Sequence, residues 1–205
     1  MKVSGDATLH APIDEVWAAL NDPAVLVRTI PGCERLEATG PDSYRMVVTA
    51  GVAAIKGTYA GEVALSDQQQ PNSFLMTASG AGGPGTVSTE VRVSLADTGD
   101  GSTRLTYDAD AVVGGVVAGV GQRMLAAVAK KTAGEFFNAV DDVLTGKAVA
   151  AAAPAGAAPA EPGVFVAPAT PGRAVGGDFV RGALVGAAIA LAGVLVGGLL
   201  GRRSR

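Results

Sequence analysis

Residues 73–113 read SFLMTASGAGGPGTVSTEVRVSLADTGDGSTRLTYDADAVV, and the fold turns on how this stretch is parsed. Three runs of alternating character, 73–81, 86–96 and 103–113, are separated by Gly82-Gly83-Pro84-Gly85 and Gly99-Asp100-Gly101. Alternation with a period of two marks a strand that shows one face to a core and the other to water. The separators are turn formers: Gly supplies positive φ, Asp bonds its neighbouring backbone and Pro presets the turn. Working towards the N-terminus, runs at 33–39, 43–53 and 55–66 follow the same rule, punctuated by Gly40-Pro41-Asp42 and Gln70-Pro71-Asn72. Six successive strands with no helix between them make an antiparallel meander.

The flanks complete a domain over residues 1–147. Residues 2–10 read as a first strand. Pro12 then opens a helix where its missing N–H costs nothing, Asp14 and Glu15 suit the helix dipole, and Val16, Trp17 and Leu20 form the apolar stripe. A second short helix runs from Pro23 to Thr29 and stops at Pro31-Gly32. Beyond the meander one long helix is predicted over about 115–145, with Leu125, Val128, Thr132, Phe136, Val140 and Val143 on one face. That face needs a partner, and only the concave side of the sheet is large enough. The expected class is α+β: a curved antiparallel sheet gripping a long C-terminal helix around an apolar cavity.

Residues 148–177 contain five prolines and few bulky apolar side chains, so they are expected to form a disordered Ala/Pro/Gly linker. Residues 178–205 are expected to form a membrane-associating helix. The 20 residues between Arg181 and Arg202 carry no charge, and Leu184, Ile189, Leu191, Val194, Leu195, Leu199 and Leu200 supply the apolar surface. At about 1.5 Å per residue such a helix matches the roughly 30 Å hydrocarbon core of a bilayer. Arg202, Arg203 and Arg205 run against the positive-inside tendency for a spanning helix, so spanning and interfacial placements both stay open. Gly182, Gly186, Gly193, Gly197 and Gly201, with Ala190 in phase, form a small-residue ridge that suits a tail-mediated homo-oligomer.

Charge and chemistry narrow the function. Residues 1–147 hold 11 Lys/Arg against 17 Asp/Glu, which leaves no basic face for nucleic acid. A single cysteine, Cys33, rules out an intrachain disulfide, and the opening residues lack a secretory apolar run; the domain is expected at the cytoplasmic face of the cell membrane, peripheral or tail-anchored. His10 is the only histidine, so neither a triad nor a zinc sphere can be assembled, and no catalytic or metal residue is assigned. Gly80–Gly85 formally matches a dinucleotide loop but is followed by a strand, and reads as a hairpin. Asp108 with Asp110, and Asp141 with Asp142, read as solvated edges. What remains is apolar: Trp17, Leu20, Ile30, Met46, Val48, Tyr59, Phe74, Met76, Val116, Val120, Met124 and Phe136 are the candidate cavity lining.

The run Ala11-Pro12-Ile13-Asp14-Glu15-Val16-Trp17-Ala18-Ala19-Leu20-Asn21-Asp22-Pro23, then Ile30-Pro31-Gly32-Cys33-Glu34, then Ile55-Lys56-Gly57-Thr58-Tyr59-Ala60-Gly61, resembles the carbon monoxide dehydrogenase G-subunit family of the SRPBCC (START-like) superfamily over about residues 1–146. The resemblance implies a helix-grip fold without a catalytic centre, an association with molybdenum carbon monoxide dehydrogenase, and recruitment of that enzyme to the membrane. It supplies no binding residues. Taken with the apolar lining and the tail, it yields the expectation of a quinone ligand, menaquinone foremost, bound non-covalently with Tyr59, Thr58 or Ser79 as hydrogen-bond donor. Two alternatives stay open: a recruitment tether without ligand, and an aromatase/cyclase-like enzyme.

Overall fold

The computed structural model describes residues 1–147 and 163–167. Strand β1 (Lys2–Leu9) leads into α1 (Ile13–Asn21) and α2 (Pro23–Thr29). Pro12 accepts the first helical bonds of α1 from Glu15 and Val16. The Asp22 carboxylate caps α2 by accepting from the Ala24 N–H at 2.8 Å, with Pro23 at the first helical position. The meander follows as β2 (Cys33–Gly40), β3 (Ser43–Val52), β4 (Ile55–Gln69), β5 (Ser73–Gly82), β6 (Gly85–Asp97) and β7 (Thr103–Gly115), and α3 (Gln122–Leu144) closes the domain. A last short strand, β8 (Val164–Val166), follows it in the chain. The order across the sheet is β1-β7-β6-β5-β4-β3-β2-β8, every pair antiparallel. The expected curved sheet with its C-terminal helix is therefore present.

Two expectations need correction. The predicted helix over 115–145 is divided: β7 runs on to Gly115, a 3-10 turn occupies Val116–Val120, and α3 starts only at Gln122. Gly115 and Gly121 bracket that turn with φ of 83° and 89°, a left-handed conformation that Gly adopts without strain and that breaks a helix. The apolar spacing through 116–120 imitates helical periodicity but lacks those backbone breaks. The second correction lies within the stretch expected to be linker, where β8 pairs with the free edge of β2. Phe165 stands opposite Leu36 and joins its apolar cluster, so one aromatic side chain provides the burial that the neighbouring Ala and Pro lack. The Gly163 carbonyl accepts from Ala38 and the Ala167 N–H donates to Glu34, extending the pairing.

The apolar tail, with Leu184, Ile189, Leu191, Val194, Leu195, Leu199 and Leu200, lies outside the described residues, as does the rest of the linker. Among the described residues no helix is long and apolar enough to cross a membrane.

Candidate functional site

Strand alternation sorts the sheet into an outer face and an inner face covered by helices. Side chains paired directly across antiparallel strands share a face, so whole rows can be followed. One inner row runs Tyr107, Val93, Phe74; the next Ala109, Val91, Met76, Leu65; then Ala111, Thr89, Ala78, Val63, Tyr44; and then Val113, Val87, Gly80, Gly61, Met46, Leu36.

Two apolar clusters sit on this face. The first gathers Leu9, Val16, Trp17, Leu20, Phe74, Leu95, Leu105 and Val140, with Met76, Phe136 and Phe137 packed against it. Trp17 meets Phe74 edge-on at 5.7 Å between ring centres. The second holds Val27, Cys33, Leu36 and Tyr44, flanked by Ile30, Met46, Val48 and Phe165. Leu65 touches both.

Part of the sheet floor belongs to neither cluster. Tyr59, Gly61, Ala78, Gly80, Val87, Thr89 and Val113 all face inward and are only half-buried. The cause lies in α3: Leu125 and Val140 are its buried residues, Val128 is half-covered and Thr132 is exposed. The C-terminal half of the helix packs against the first cluster, while the N-terminal half leaves the floor short of cover. The floor is also low, because Gly61 and Gly80 present no side chain in adjacent strands. A Cβ on Gly61 would stand 2.4 Å from the Ser79 carbonyl oxygen, so the strands approach too closely there for any other residue. The result is a partly uncovered stretch of inner floor, a shallow hollow between two packed clusters, with the Tyr59 ring over Gly82 at its edge.

Of the twelve lining residues expected from sequence, Trp17, Leu20 and Phe74 fall in the first cluster, with Met76 and Phe136 against it. Ile30, Met46 and Val48 flank the second. Tyr59 borders the hollow and Val120 is half-buried. Val116 and Met124 are corrections: they are 69% and 47% exposed, Val116 in the 3-10 turn that replaces the start of the expected helix and Met124 in the first turn of α3, where Leu125 is the residue that turns inward. Two expected donors are also corrected. Thr58 and Ser79 lie on the outer face, Thr58 with its hydroxyl 2.9 Å from that of Thr49, because each adjoins an inward residue and strands alternate. Tyr59 remains; among the described residues its hydroxyl has no hydrogen-bond partner. The Thr89 hydroxyl donates to the Asp110 carbonyl at 3.1 Å.

Gly61, Ala78, Gly80, Val87, Thr89 and Val113 were missed in the sequence. Counting by twos from Phe74 and Met76 reaches Ala78 and Gly80, but a search for bulky apolar lining passes over small residues.

The remaining reactive groups lie elsewhere. His10 Nδ1 is 3.0 Å from Asp141 Oδ2 at the far end of α3, and the His10 N–H donates to Oδ1 at 2.7 Å, which ties β1 to the helix. Burial pushes the Asp141 carboxyl up, but the bonds from His10 and the charge of Lys147 outweigh it and hold the group below its ordinary value. Burial pushes the Cys33 thiol up, which keeps it protonated within its apolar cluster. Among the described residues no three His, Cys, Asp or Glu side chains gather as metal ligands. Gly82 pairs directly with Gly85, so the glycine-rich segment is a hairpin turn, as read from the sequence. Two surface depressions open elsewhere, the first on the opposite side of the sheet behind Gly61, Gly80 and Val87. One, of about 500 Å³, is on the outer face around Arg45, Glu62, Ser79 and Ser88; the other, of about 490 Å³, lies beside the β4 bulge at Asp67–Gln69.

Comparison with known proteins agrees with this architecture. A crystal structure of a conserved protein from Geobacillus kaustophilus is 37% identical, with a TM-score of 0.69, covering 72% of this chain and 97% of that one. A START superfamily protein from Mycobacterium smegmatis (18% identity, TM-score 0.56, covering 71% of this chain and 98% of that one) shares the fold. So does the Zhui aromatase/cyclase from Streptomyces sp. R1128 (18%, 0.55, covering 73% and 95%). At such identities the likeness concerns the helix-grip fold alone. No curated protein matches the chain. Residues 5–145 match the family described as the G subunit of carbon monoxide dehydrogenase (CoxG), in keeping with the Pro-Gly-Cys-Glu and Lys-Gly-Thr-Tyr-Ala-Gly elements. The chain therefore belongs to the CoxG family of carbon monoxide dehydrogenase.

Proposed function

We propose that the domain is a non-catalytic accessory of carbon monoxide dehydrogenase that holds an isoprenoid quinone, menaquinone foremost, in the open hollow. On this reading it also brings the enzyme to the cytoplasmic face of the membrane, so that electrons pass from the dehydrogenase through the quinone to the respiratory chain. The observation that carries the ligand reading is the half-covered inner floor between the two apolar clusters. Apolar surface left to water forfeits about 25 cal/mol per Å², so a ligand that buries about 200 Å² of floor and a similar area of its own gains roughly 10 kcal/mol before the cost of immobilisation. Micromolar binding needs about 8 kcal/mol net, so the isoprenoid chain has to bury further apolar surface to offset that cost. A quinone offers carbonyl acceptors, and the unpartnered Tyr59 hydroxyl is a donor at the edge of the hollow. Recruitment rests on the family's tie to the dehydrogenase and on the uncharged stretch between Arg181 and Arg202.

The test is organic extraction and mass spectrometry of the full chain purified gently from a quinone-containing host, beside Gly80→Phe and Tyr59→Phe. A Cβ at Gly80 meets nothing nearer than 3.6 Å, so the backbone tolerates a side chain there, and register directs it into the hollow. The expected result is near-stoichiometric quinone in the wild type, its loss in Gly80→Phe and about a tenfold weaker retention in Tyr59→Phe, the worth of one hydrogen bond. A wild-type chain with no extractable quinone and no micromolar binding would sink the ligand reading. If that empty chain still brought the dehydrogenase to membranes, the domain would be a recruitment tether.

A further inference from the structure

The two ends of the sheet differ in chemistry. The β2–β3, β4–β5 and β6–β7 turns share one end; Asp42 and Asp100 lie in them, Asp67 and Asp97 in the strand ends that lead into them, and the turns hold no Lys or Arg. At the other end, residues 50–55, 82–85 and 111–122 contain no charged residue at all. The structure gathers these three segments. Gly85 pairs with both Gly82 and Gly115, and the Val117 N–H donates to the Pro84 carbonyl at 3.0 Å. The Pro84 ring lies against Gly57, where a Cβ would stand 2.5 Å from it. Beyond that contact the β3–β4 hairpin projects two further residues, roughly 7 Å, to its Val52–Ile55 pair.

This tip is unusual for a solvated turn. Val52-Ala53-Ala54-Ile55 has no polar side chain, and Ala53 has a φ of 54°, a conformation that Gly, Asn or Asp would adopt at lower cost. At the same end of the sheet, in the 3-10 turn next to the β5–β6 hairpin, Val116 is also exposed. The charges that flank the apolar segments are Lys56, Arg123 and Asp110; Asp110 is paired with Lys2 and the Met1 ammonium, whereas Lys56 and Arg123 are exposed and neither is in an ion pair among the described residues. Glu34, alongside β3, accepts a hydrogen bond from the Thr49 hydroxyl at 2.6 Å.

We propose that this end of the domain is a lipid-docking face, in which the β3–β4 tip and the 3-10 turn enter the headgroup–acyl boundary of an anionic bilayer while Lys56 and Arg123 meet its phosphates. Apolar tips backed by unpaired cations fit such an interface, and the acidic opposite end is repelled from it. This contact is distinct from the C-terminal apolar segment and rests on the membrane part of the proposed function. It also places the hollow, whose rows at Tyr59 and Val87 adjoin this end, next to lipid, so a hydrophobic ligand exchanges without crossing water.

The experiment uses the full chain in a Cys33→Ala background with single cysteines introduced as Ala54→Cys, Val116→Cys or, at the opposite end, Asp100→Cys. Each is labelled with an environment-sensitive fluorophore and mixed with phosphatidylcholine/phosphatidylglycerol vesicles containing a nitroxide lipid. Probes at 54 and 116 are expected to shift to the blue and be quenched, while the probe at 100 stays as in water. A bound chain whose probes at 54 and 116 behave like that at 100, or a chain that binds no vesicles, would overturn the proposal. Lys56→Glu and Arg123→Glu should each weaken binding to the anionic vesicles at least fivefold and leave phosphatidylcholine unaffected; unchanged affinity also overturns it. Quinone extraction is read separately, so a docked but quinone-free chain would refute the ligand and leave the docking face standing.

Discussion

At the scale of the residue, Gly32 shows why a short motif constrains the backbone. It has a φ of 73°, its carbonyl accepts from the Thr49 N–H at 2.8 Å, and a Cβ would stand 2.1 Å from the Thr49 carbonyl oxygen. Gly32→Ala therefore faces both a left-handed penalty and a backbone collision. A loss of about 2 to 4 kcal/mol of unfolding free energy is expected from urea melts, and a loss below about 0.5 kcal/mol would contradict this account. Asp141 makes a different kind of prediction. Its carboxyl is held below the ordinary value of 3.8, so its contribution is fully present above that value and fades as the pH falls through the lower folded value. Asp141→Asn should cost about 1 to 2 kcal/mol at neutral pH, as for one hydrogen bond to a charged group. The gap to the wild type should narrow on acidification below the ordinary value; a constant gap would show that the carboxylate charge does not matter.

At the scale of the element, α3 is one helix with two environments. Its C-terminal half lies against Trp17, Phe74 and their neighbours, whereas Gln122–Thr132 contributes only Leu125 to the buried set. Amide exchange should be markedly faster over 122–132 than over 136–144, and should slow in the first segment when a ligand fills the hollow beneath it. Uniform protection along the helix would mean that the hollow is closed in solution. The edge strand β8 carries its own test. Phe165→Ala should cost about 1 to 2 kcal/mol, since this side chain is half-buried, and should release the Ala38 amide from the Gly163 carbonyl. Unaltered exchange at Ala38 would show that β8 contributes nothing to the sheet edge.

At the scale of the whole molecule, the architecture follows from one arithmetic of burial: a broad sheet has more apolar inner surface than two short helices and half of a long one can cover. Much of this was legible in the sequence. Strand alternation, turn residues between runs and the Pro12 and Asp22-Pro23 helix starts are local physics, decided within a few residues, and they placed seven strands and the first two helices within three residues of their observed ends. The elements Pro31-Gly32-Cys33-Glu34 and Lys56–Gly61 carried the family in the same way. Tertiary structure decided the rest. The break between Gly115 and Gly121 depends on backbone angles that an apolar periodicity does not encode. The pairing of Val164–Val166 with Arg35–Glu37 spans more than a hundred residues and appears only when the β2 edge is formed. The hollow itself is a property of what α3 fails to cover, and no single residue states it: Gly61, Gly80 and Ala78 become a floor only because Trp17 and Leu36 gather their neighbours to either side. Local preference fixes which elements form, whereas the space left between them is set by how the elements pack.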